Sequence, residues 1–342
     1  MHDNRRVVLR RRPRGRPVAE DFALVREAIA GPAEGELLVR NLYSSLDPAM
    51  RRWMDETSYA EPIALDSAIR CTGVGRVVGS RHRDFEVGDH LIAMCAVEDY
   101  SVVRPGGFTR KIDADHQMSL SRYLSLYGPI GMTAYFSLLE CGRPKEGETV
   151  LVSGAAGAVG SLVGQIAKIK SCRAVGIAGG AEKCALLINE FGFDAAIDYR
   201  ARDLESLIDA IRAACPKGVD IYFDNVGGVI LDAALGCINQ FARLVECGMI
   251  SQYNSTTAQP GPSNIWQIIA KAATMQGFLG RHYVDRYPKA MTELRRWSDE
   301  GRIHVREHIE TGLENFYPAF MRLFDGTNKG KLLLQVDAEM RL

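Results

Sequence analysis

The residues with the clearest chemical meaning are three glycines, Gly154, Gly157 and Gly160. They follow the short apolar run 149–153 and precede apolar residues that recur at helical spacing over 159–167. A strand, a glycine turn and a helix in this order let the backbone approach a pyrophosphate, and the first amides of the helix then face the phosphates. The spacing is GxxGxxG instead of GxGxxG, so an ordinary tight turn stays open as the alternative. The pattern favours a dinucleotide site.

The residues after the next predicted strand decide which dinucleotide is bound. NAD-binding units place an Asp or Glu there, roughly 20 residues past the glycines, to bind the ribose 2′-hydroxyl. Residues 178–183 read AGGAEK, with Glu182 close enough that spacing does not exclude NAD. Lys183 and the pair Tyr199-Arg200 could contact a 2′-phosphate, or Lys183 and Arg200 could be solvated surface charges. The pattern favours NADPH.

Two kinds of element surround these residues along the chain. Residues 1–125 read as short strands and turns and predict a small β-barrel-like module. From residue 126 to about 280, apolar strand runs alternate with helix patterns, which predicts βαβ units and a parallel sheet. Helices are expected over 230–239 and 287–297, and a last strand over 331–336.

Composition excludes several classes of protein. The chain has 342 residues, 42 basic and 42 acidic side chains and 46% hydrophobic residues, which is typical of globular proteins of two domains. A net charge of zero gives no attraction to nucleic acid, and no window reaches the ~18 uninterrupted apolar residues of a membrane span. Seven arginines crowd the first 16 residues, but prolines and glycines break any targeting helix there. We therefore expect a cytoplasmic protein.

Longer strings carry a resemblance to a known family. They read NLYSSLDPAMR (41–51), GMTAY (131–135), SGAAGAVGSLVGQIAK (153–168), FGFD (191–194), YFDNVGG (222–228), CGMISQYN (247–254) and GTNKGK (326–331). With them the chain resembles the zinc-independent medium-chain dehydrogenase/reductases. The similar branch holds the leukotriene B4 12-hydroxydehydrogenase/prostaglandin reductases, the plant alkenal double-bond reductases and the bacterial curcumin reductases. The resemblance extends over almost the whole chain.

The resemblance implies an α/β fold of two domains. A GroES-like β-barrel catalytic domain would be formed by residues 1–125 and completed by 300–342, and a Rossmann domain with a doubly wound parallel sheet would span 126–299. It also implies a homodimer that uses NADPH/NADP+ to reduce an enal or enone, with Lys183 and Tyr199 as the 2′-phosphate ligands. The family's cofactor contacts map onto Gly154, Ala156, Gly157, Ala158, Val159, Gly160, Gly179, Lys183, Tyr199, Asn225, Cys247, Gly248, Ile250, Tyr253, Phe278, Leu279, Gly280 and Asn328.

The same resemblance marks a substrate pocket. The family segment usually reads DPYMR, and Ala49 here replaces its aromatic residue, which should enlarge the pocket or change its polarity. Tyr43 and Asp47 could orient the nicotinamide or be buried structural groups, and His282 could line the pocket or make an edge or subunit contact. The substrate therefore does not carry over from the family. The predicted pocket residues are Tyr43, Asp47, Ala49, Met132, Tyr253 and His282.

Zinc chemistry is not expected. Zinc-dependent relatives use an early Cys and a Gly-His-Glu motif, whereas residues 44–47 read SSLD and residues 69–73 read IRCTG. The eight cysteines include no CxxC pair, so we interpret most of them as reduced, small core residues. Cys71 and His82 remain the candidates for a metal ligand.

A mechanism follows from the enone hypothesis. Hydride reaches the β-carbon, charge develops on the carbonyl oxygen as an enolate, and a proton reaches the α-carbon. Tyr253 is the predicted catalytic donor because it ends the 247–253 loop after a parallel strand, where α/β sites open. A coenzyme ribose hydroxyl or water is the rival proton source, and Tyr253 could instead be a packing residue. Quinone reduction, or NADPH binding without turnover, stays open as another function.

Overall fold

The computed structural model describes residues 2–112 and 118–336. The strands are β1 (His2–Leu9), β2 (Phe22–Ile29), β3 (Leu37–Ser45), β4 (Arg70–Ser80), β5 (His90–Ala96), β6 (Tyr100–Val103), β7 (Arg110–Ile112), β8 (Thr149–Ser153), β9 (Arg173–Ala178), β10 (Ala195–Asp198), β11 (Val219–Asp224), β12 (Ile238–Glu246), β13 (Thr274–Gly277), β14 (Glu307–Thr311) and β15 (Lys331–Gln335). The α-helices are α1 (Ala49–Trp53), α2 (Arg122–Ser125), α3 (Pro129–Phe136), α4 (Ala158–Ile169), α5 (Ala181–Asn189), α6 (Leu204–Ala214), α7 (Gly228–Leu235), α8 (Gln267–Ala270), α9 (Tyr287–Asp299) and α10 (Phe316–Asp325).

The chain divides into two compact units. Of the described residues, the first unit contains those up to Gly128, those from Glu307 to Asn328 and those from Leu332 to Val336. The second unit takes Pro129–Arg306 and Lys329–Lys331. Within the described ranges, no helix is both long and apolar enough to cross a membrane.

The first unit is built on antiparallel strands. Its seven-stranded sheet has the order β14-β15-β3-β4-β5-β7, with β6 paired to β3, and β1 and β2 form a separate antiparallel pair. The described strand pairs follow an open path from β14 to β7, and they include no pair that closes a barrel. Strand β3 is buried along most of its length, and it pairs with β4, β6 and β15. Its end carries the segment with Tyr43 and Asp47.

The second unit is a parallel sheet with helices in the connections. The strand order is β10-β9-β8-β11-β12-β13, and every pair is parallel. Counting from β8, this is the order 3-2-1-4-5-6 of a doubly wound dinucleotide fold, whose chain reverses direction across the sheet between β8 and β11. The predicted fold class is confirmed.

The local sequence explains most of these elements. All five residues of β8 are buried, as expected for a central strand of a parallel sheet. The helix expected over 230–239 is wrong at its end, because α7 stops at Leu235 before Gly236. Glycine disfavours helix, and Ile238 instead begins β12 beside Val219 of β11. An apolar run alone does not distinguish a buried helix from a buried strand.

Candidate functional site

The six parallel strands of the second unit end at one edge of its sheet. Every predicted cofactor residue of this unit lies just after one of these ends, which are Ser153, Ala178, Asp198, Asp224, Glu246 and Gly277. Ligands of doubly wound sheets bind outside the carboxyl ends of the strands, at the point where the strand order reverses. The fold therefore brings these residues together where such ligands bind. Asn328 belongs to the first unit, where it is buried.

The glycine turn after β8 favours glycine at two positions, one because of its backbone conformation and the other because a side chain has no room. Gly154 has a φ of +58°, which favours glycine. The backbone amide of the next residue, Ala155, donates to the carbonyl of Ile177 on β9. A Cβ on Gly160 would lie 2.5 Å from the carbonyl oxygen of Gly154 and 2.8 Å from the Cα of Ala155. No side chain caps α4 at Gly157, so the first amides of the helix have no side-chain partner there. The turn is a backbone cradle of the kind that holds phosphates.

Arg200 and Tyr199 lie over the glycines that follow β9, and Lys183 lies near Arg200. A Cβ on Gly179 would lie 3.1 Å from Arg200 Nε and 3.1 Å from Tyr199 Cε1, so both side chains pack directly on this backbone. Lys183 is half-buried on the first turn of α5, and its pKa is lowered by burial and then by the neighbouring Arg200. Two mutually repelling cations favour a bound anion between them.

The acids near this cluster are already engaged. Asp198 accepts hydrogen bonds from the backbone amides of Gly180 at 2.8 Å and Arg200 at 3.0 Å, and the Gly180 amide is the main cause of its lowered pKa. Glu182, whose position left NAD open, forms an ion pair with Lys329. The end of β9 itself carries no acid. The chain thus presents positive charge where an NAD site presents a carboxylate.

A buried hydrogen-bond network joins the ends of β8 and β11, across the point where the strand order reverses. The fully buried Asp224 carboxylate accepts from Ser153 Oγ at 2.6 Å, Tyr222 Oη at 2.8 Å and the Gly227 amide at 3.0 Å. Asn225 Nδ2 donates to the Ser153 carbonyl at 2.7 Å. These bonds satisfy a buried charge and fix the spacing of the two strand ends.

The 247–253 loop is tied to the same network. The amides of Cys247 and Gly248 donate to the Asp224 carbonyl at 2.9 and 3.1 Å, and the Ile250 amide donates to the Asn225 carbonyl at 3.2 Å. Burial raises the pKa of the Cys247 thiol to about 12, so this cysteine is no nucleophile at neutral pH. The loop is held by backbone contacts.

Tyr253, the predicted catalytic donor, is half-buried and turns back over its own loop. Its hydroxyl oxygen accepts a hydrogen bond from the Met249 amide at 3.2 Å. The same oxygen would lie 3.2 Å from a Cβ on Gly248, so only glycine leaves this approach unhindered. The phenol thus lies directly against the backbone of the loop that the sequence predicts to contact the coenzyme.

Glu246, the last residue of β12, is an acid that the sequence argument missed. It is the register partner of Asp224 on β11, and its Oε1 is buried with no hydrogen-bond partner in the described structure. Burial, and then repulsion by Asp224, raise the pKa of Glu246 to about 8. The only sequence signal is an acid at the end of the apolar run Leu244-Val245.

The remaining predicted residues of the second unit differ in exposure. Phe278 is buried, and its amide donates to the Glu246 carbonyl at 3.1 Å. Met132 on α3 is fully buried, whereas His282 is exposed.

The other predicted substrate residues belong to the first unit. Tyr43 on β3 is half-buried, and burial, then the Glu307 carboxylate, raise its pKa. Asp47 accepts a hydrogen bond from Ser45 Oγ. Ala49 is the first residue of α1 and is partly exposed.

Helix α1 is anchored by a buried arginine. Arg51 donates from Nη2 to the carbonyls of Gly15 at 3.0 Å and Pro13 at 3.2 Å, and pairs with Asp55 at 2.5 Å. Met50 is buried beside it, so one face of the short helix is fixed to the core and Ala49 lies outside that face.

The candidate metal ligands Cys71 and His82 lie in different surroundings. In the described ranges no group of three or more His, Cys, Asp or Glu side chains could hold a metal ion. Cys71 is fully buried in an apolar cluster, and His82 Nδ1 accepts from the Asp84 amide at 3.2 Å within a surface turn.

Known proteins resemble this chain along nearly its full length. Residues 5–111 match a family model described as the N-terminal domain of oxidoreductase, and residues 158–296 match one described as zinc-binding dehydrogenase. A putative NADP-dependent oxidoreductase, YfmJ of Bacillus subtilis (strain 168), is 46% identical over 96% of this chain and 97% of its own. The NADPH-dependent curcumin reductase of Escherichia coli (strain K12) is 42% identical over 97% of each chain. The crystal structure of CurA from Vibrio vulnificus in complex with NADPH superposes with a TM-score of 0.92, at 42% identity over 97% of this chain and 99% of that one.

Proposed function

Because the chain belongs to the medium-chain dehydrogenase/reductase family, in the branch of the curcumin, alkenal and prostaglandin reductases, we propose that it reduces the carbon–carbon double bond of α,β-unsaturated aldehydes and ketones. The chain is an NADPH-dependent oxidoreductase that acts on a small molecule. The supporting observation is the convergence of a glycine cradle, two cations and the Tyr253 loop at one edge of the parallel sheet.

The residues at this edge fit NADPH. The turn from Gly154 to Gly160 would hold the pyrophosphate with backbone amides, and Lys183, Tyr199 and Arg200 would hold the 2′-phosphate. The other cofactor and substrate residues keep the roles that the family resemblance implies. The division into a catalytic domain of 1–125 with 300–342 and a coenzyme domain of 126–299 belongs to the same proposal.

The proposed reaction requires a hydrogen-bond donor to the carbonyl oxygen of the substrate. Bound NADPH supplies the hydride for the β-carbon. We assign Tyr253 as the group that donates a hydrogen bond to the carbonyl oxygen, where negative charge develops, and as the source of the α-carbon proton. The Met249 amide, which already donates to the Tyr253 oxygen at 3.2 Å, would stabilise the phenolate that this transfer leaves.

We propose that the reaction proceeds without zinc. The segments that carry zinc ligands in zinc-dependent relatives read SSLD and IRCTG here, and Cys71 of the second segment is fully buried among apolar side chains. An activated alkene also needs less electrophilic help than an alcohol oxidation. Elemental analysis of the purified protein, with activity before and after a strong chelator, tests this; stoichiometric zinc whose removal abolishes activity would contradict it.

We propose that the protein is a homodimer. Strand β13 ends the strand order of its sheet, and in the described structure it pairs only with β12. Near this edge Phe241 is 71% exposed, Trp266 57% and Ile269 86%, which is unusual for large apolar side chains. A second copy would cover this surface. Light scattering on wild type and Ile269→Asp tests the assignment, since the variant should be monomeric.

A panel of acceptors tests the reaction itself. NADPH and NADH oxidation is followed by the absorbance of the reduced nicotinamide with an enal, an enone, a quinone and a simple ketone. We expect the enal and enone to be reduced with NADPH, and the product to have lost its carbon–carbon double bond. Faster oxidation by the quinone would favour a quinone reductase, and tight NADPH binding without any turnover would favour a binding protein.

A further inference from the structure

A stack of aromatic rings lies beside the 278–280 segment of the second unit. The ring of Phe278 stacks on Tyr283, with centroids 5.2 Å apart and planes 26° apart. Tyr283 stacks in turn on Phe136 of α3, with centroids 5.0 Å apart and planes 23° apart. Phe136 is buried, so the stack joins the segment to the fixed part of the unit through Tyr283.

A second contact and a charged group complete the cluster. Tyr287, which begins α9, stacks on Phe136 at 6.1 Å and donates from its hydroxyl to the Gly280 carbonyl at 3.3 Å. The Arg286 guanidinium lies 5.2 Å from the Phe136 ring centre and 5.7 Å from that of Tyr283, and it is paired with Glu140. The segment is therefore held at both of its ends, by Tyr283 at Phe278 and by Tyr287 at Gly280.

The 278–280 segment depends on these contacts because of its place in the sheet. It leaves β13, which ends the strand order, and the amide of Phe278 donates to the carbonyl of Glu246 on the neighbouring strand at 3.1 Å. Within one protomer the sheet lies on one side of the segment, and aromatic side chains pack against it as well. Tyr283 supplies that packing, because its ring contacts both Phe278 and Phe136.

We propose that Tyr283 is a positioning residue for the nicotinamide half of the coenzyme. This rests on the proposed function, in which 278–280 contacts NADPH. The ring of Tyr283 holds Phe278, and through it the segment, at the place where the coenzyme is received. The adenosine half of the coenzyme, which carries the 2′-phosphate, would be held by the proposed ligands Lys183 and Arg200, which follow β9 and β10 at the other side of the sheet. A change at Tyr283 should therefore act on one half of the coenzyme only.

The test compares Tyr283→Leu with Tyr283→Phe in the full chain, using NADPH and 2′,5′-ADP as ligands. The second ligand carries the 2′-phosphate but no nicotinamide. We expect Tyr283→Leu to bind NADPH about tenfold more weakly, which corresponds to about 1.4 kcal/mol, and to bind 2′,5′-ADP as the wild type does. Tyr283→Phe keeps the stacked ring and should retain both affinities. Equal weakening of the two ligands, or unchanged NADPH binding in Tyr283→Leu, overturns the proposal.

Two further variants separate positioning from general loosening. Arg286→Ala removes a half-exposed side chain that packs on the stack, and should weaken NADPH about threefold without affecting 2′,5′-ADP. Tyr317→Leu changes a half-buried tyrosine in an aromatic cluster of the first unit and should leave both affinities unchanged; a selective loss of NADPH binding in it overturns the proposal. If the wild type binds neither ligand, the proposed function itself falls, and the inference falls with it.

Discussion

Lys183→Ala tests whether the cluster after β9 selects NADPH over NADH. In the free protein, Lys183 is half-buried beside Arg200, and its pKa is lowered first by burial and second by that neighbour. Both effects oppose the charged form of the lysine, and the attraction of a bound 2′-phosphate would offset them. The perturbation therefore removes a cation that is unfavourable without the phosphate and favourable with it.

The expected magnitude follows from a single charge-assisted hydrogen bond. Such a bond contributes about 1.5–3 kcal/mol, so NADPH should bind Lys183→Ala about 10- to 150-fold more weakly than wild type. Arg200 remains in the variant and keeps the loss within this range. NADH has no 2′-phosphate, so its affinity should stay the same or rise slightly, because the half-buried cation is gone.

Fluorescence titration of the reduced nicotinamide gives both dissociation constants. Lys217→Ala is a matched control, because Lys217 is exposed and precedes β11, at the amino edge of the same sheet. It should change neither constant. If Lys183→Ala weakened NADPH and NADH equally, or left NADPH binding intact, Lys183 would not be a ligand of the 2′-phosphate.

Three further substitutions test the turn, the buried acid and the catalytic donor. Gly160→Ala places a Cβ 2.5 Å from the Gly154 carbonyl oxygen, so the thermal midpoint should fall and NADPH should bind more weakly. The control Gly261→Ala, whose Cβ would meet no atom of the other described residues within 4 Å beyond its chain neighbours, should match wild type. The pKa of Glu246 is raised from 4.5 to about 8, so between these pH values the folded protein keeps a proton that the unfolded chain has lost. The free energy of unfolding should therefore fall as pH rises over this range, by a few kcal/mol at most (about 1.4 per pKa unit). In Glu246→Gln the thermal midpoint should depend less on pH over this range, and an equal pH dependence in the variant and the wild type would contradict the assignment. Tyr253→Phe should lower kcat about 100-fold or more at unchanged NADPH affinity, and an unchanged kcat would remove Tyr253 from the mechanism.

The architecture of the second unit could be predicted from local patterns. The apolar run 149–153 coincides with β8, and the helical spacing that starts at 159 coincides with α4. Short buried runs alternating with amphipathic helices leave a parallel sheet as the simplest way to bury both kinds of element. The end of α7 was missed, because residues around Gly236 are apolar on both sides and the pairing of Ile238 with Val219 is a long-range contact.

The sequence could predict site residues only where those residues directly follow the end of a strand. The residues after β8, β9 and β12 could be assigned from their place in the βα order, because parallel strands end at one edge. The pairing of Glu246 with Asp224 was not accessible, since it depends on the register between two strands. The stack of Phe136, Tyr283 and Phe278 was not accessible either, because its members come from separate elements with no shared spacing.

The strand order also separates the two ends of the proposed coenzyme site. Lys183 follows β9 and the 278–280 segment follows β13, with β8, β11 and β12 between them. At about 4.8 Å per strand, four spacings place the two strand ends about 19 Å apart. Sites this far apart that share no protein contact, and that hold different halves of the ligand, change binding free energies additively. The fold-losses of NADPH affinity in Lys183→Ala and Tyr283→Leu should therefore multiply in the double variant. If the fold-loss measured for the double variant differs from the product of the two single fold-losses by more than about twofold, one substitution disturbs the whole sheet edge. The two halves of the coenzyme are then not held separately.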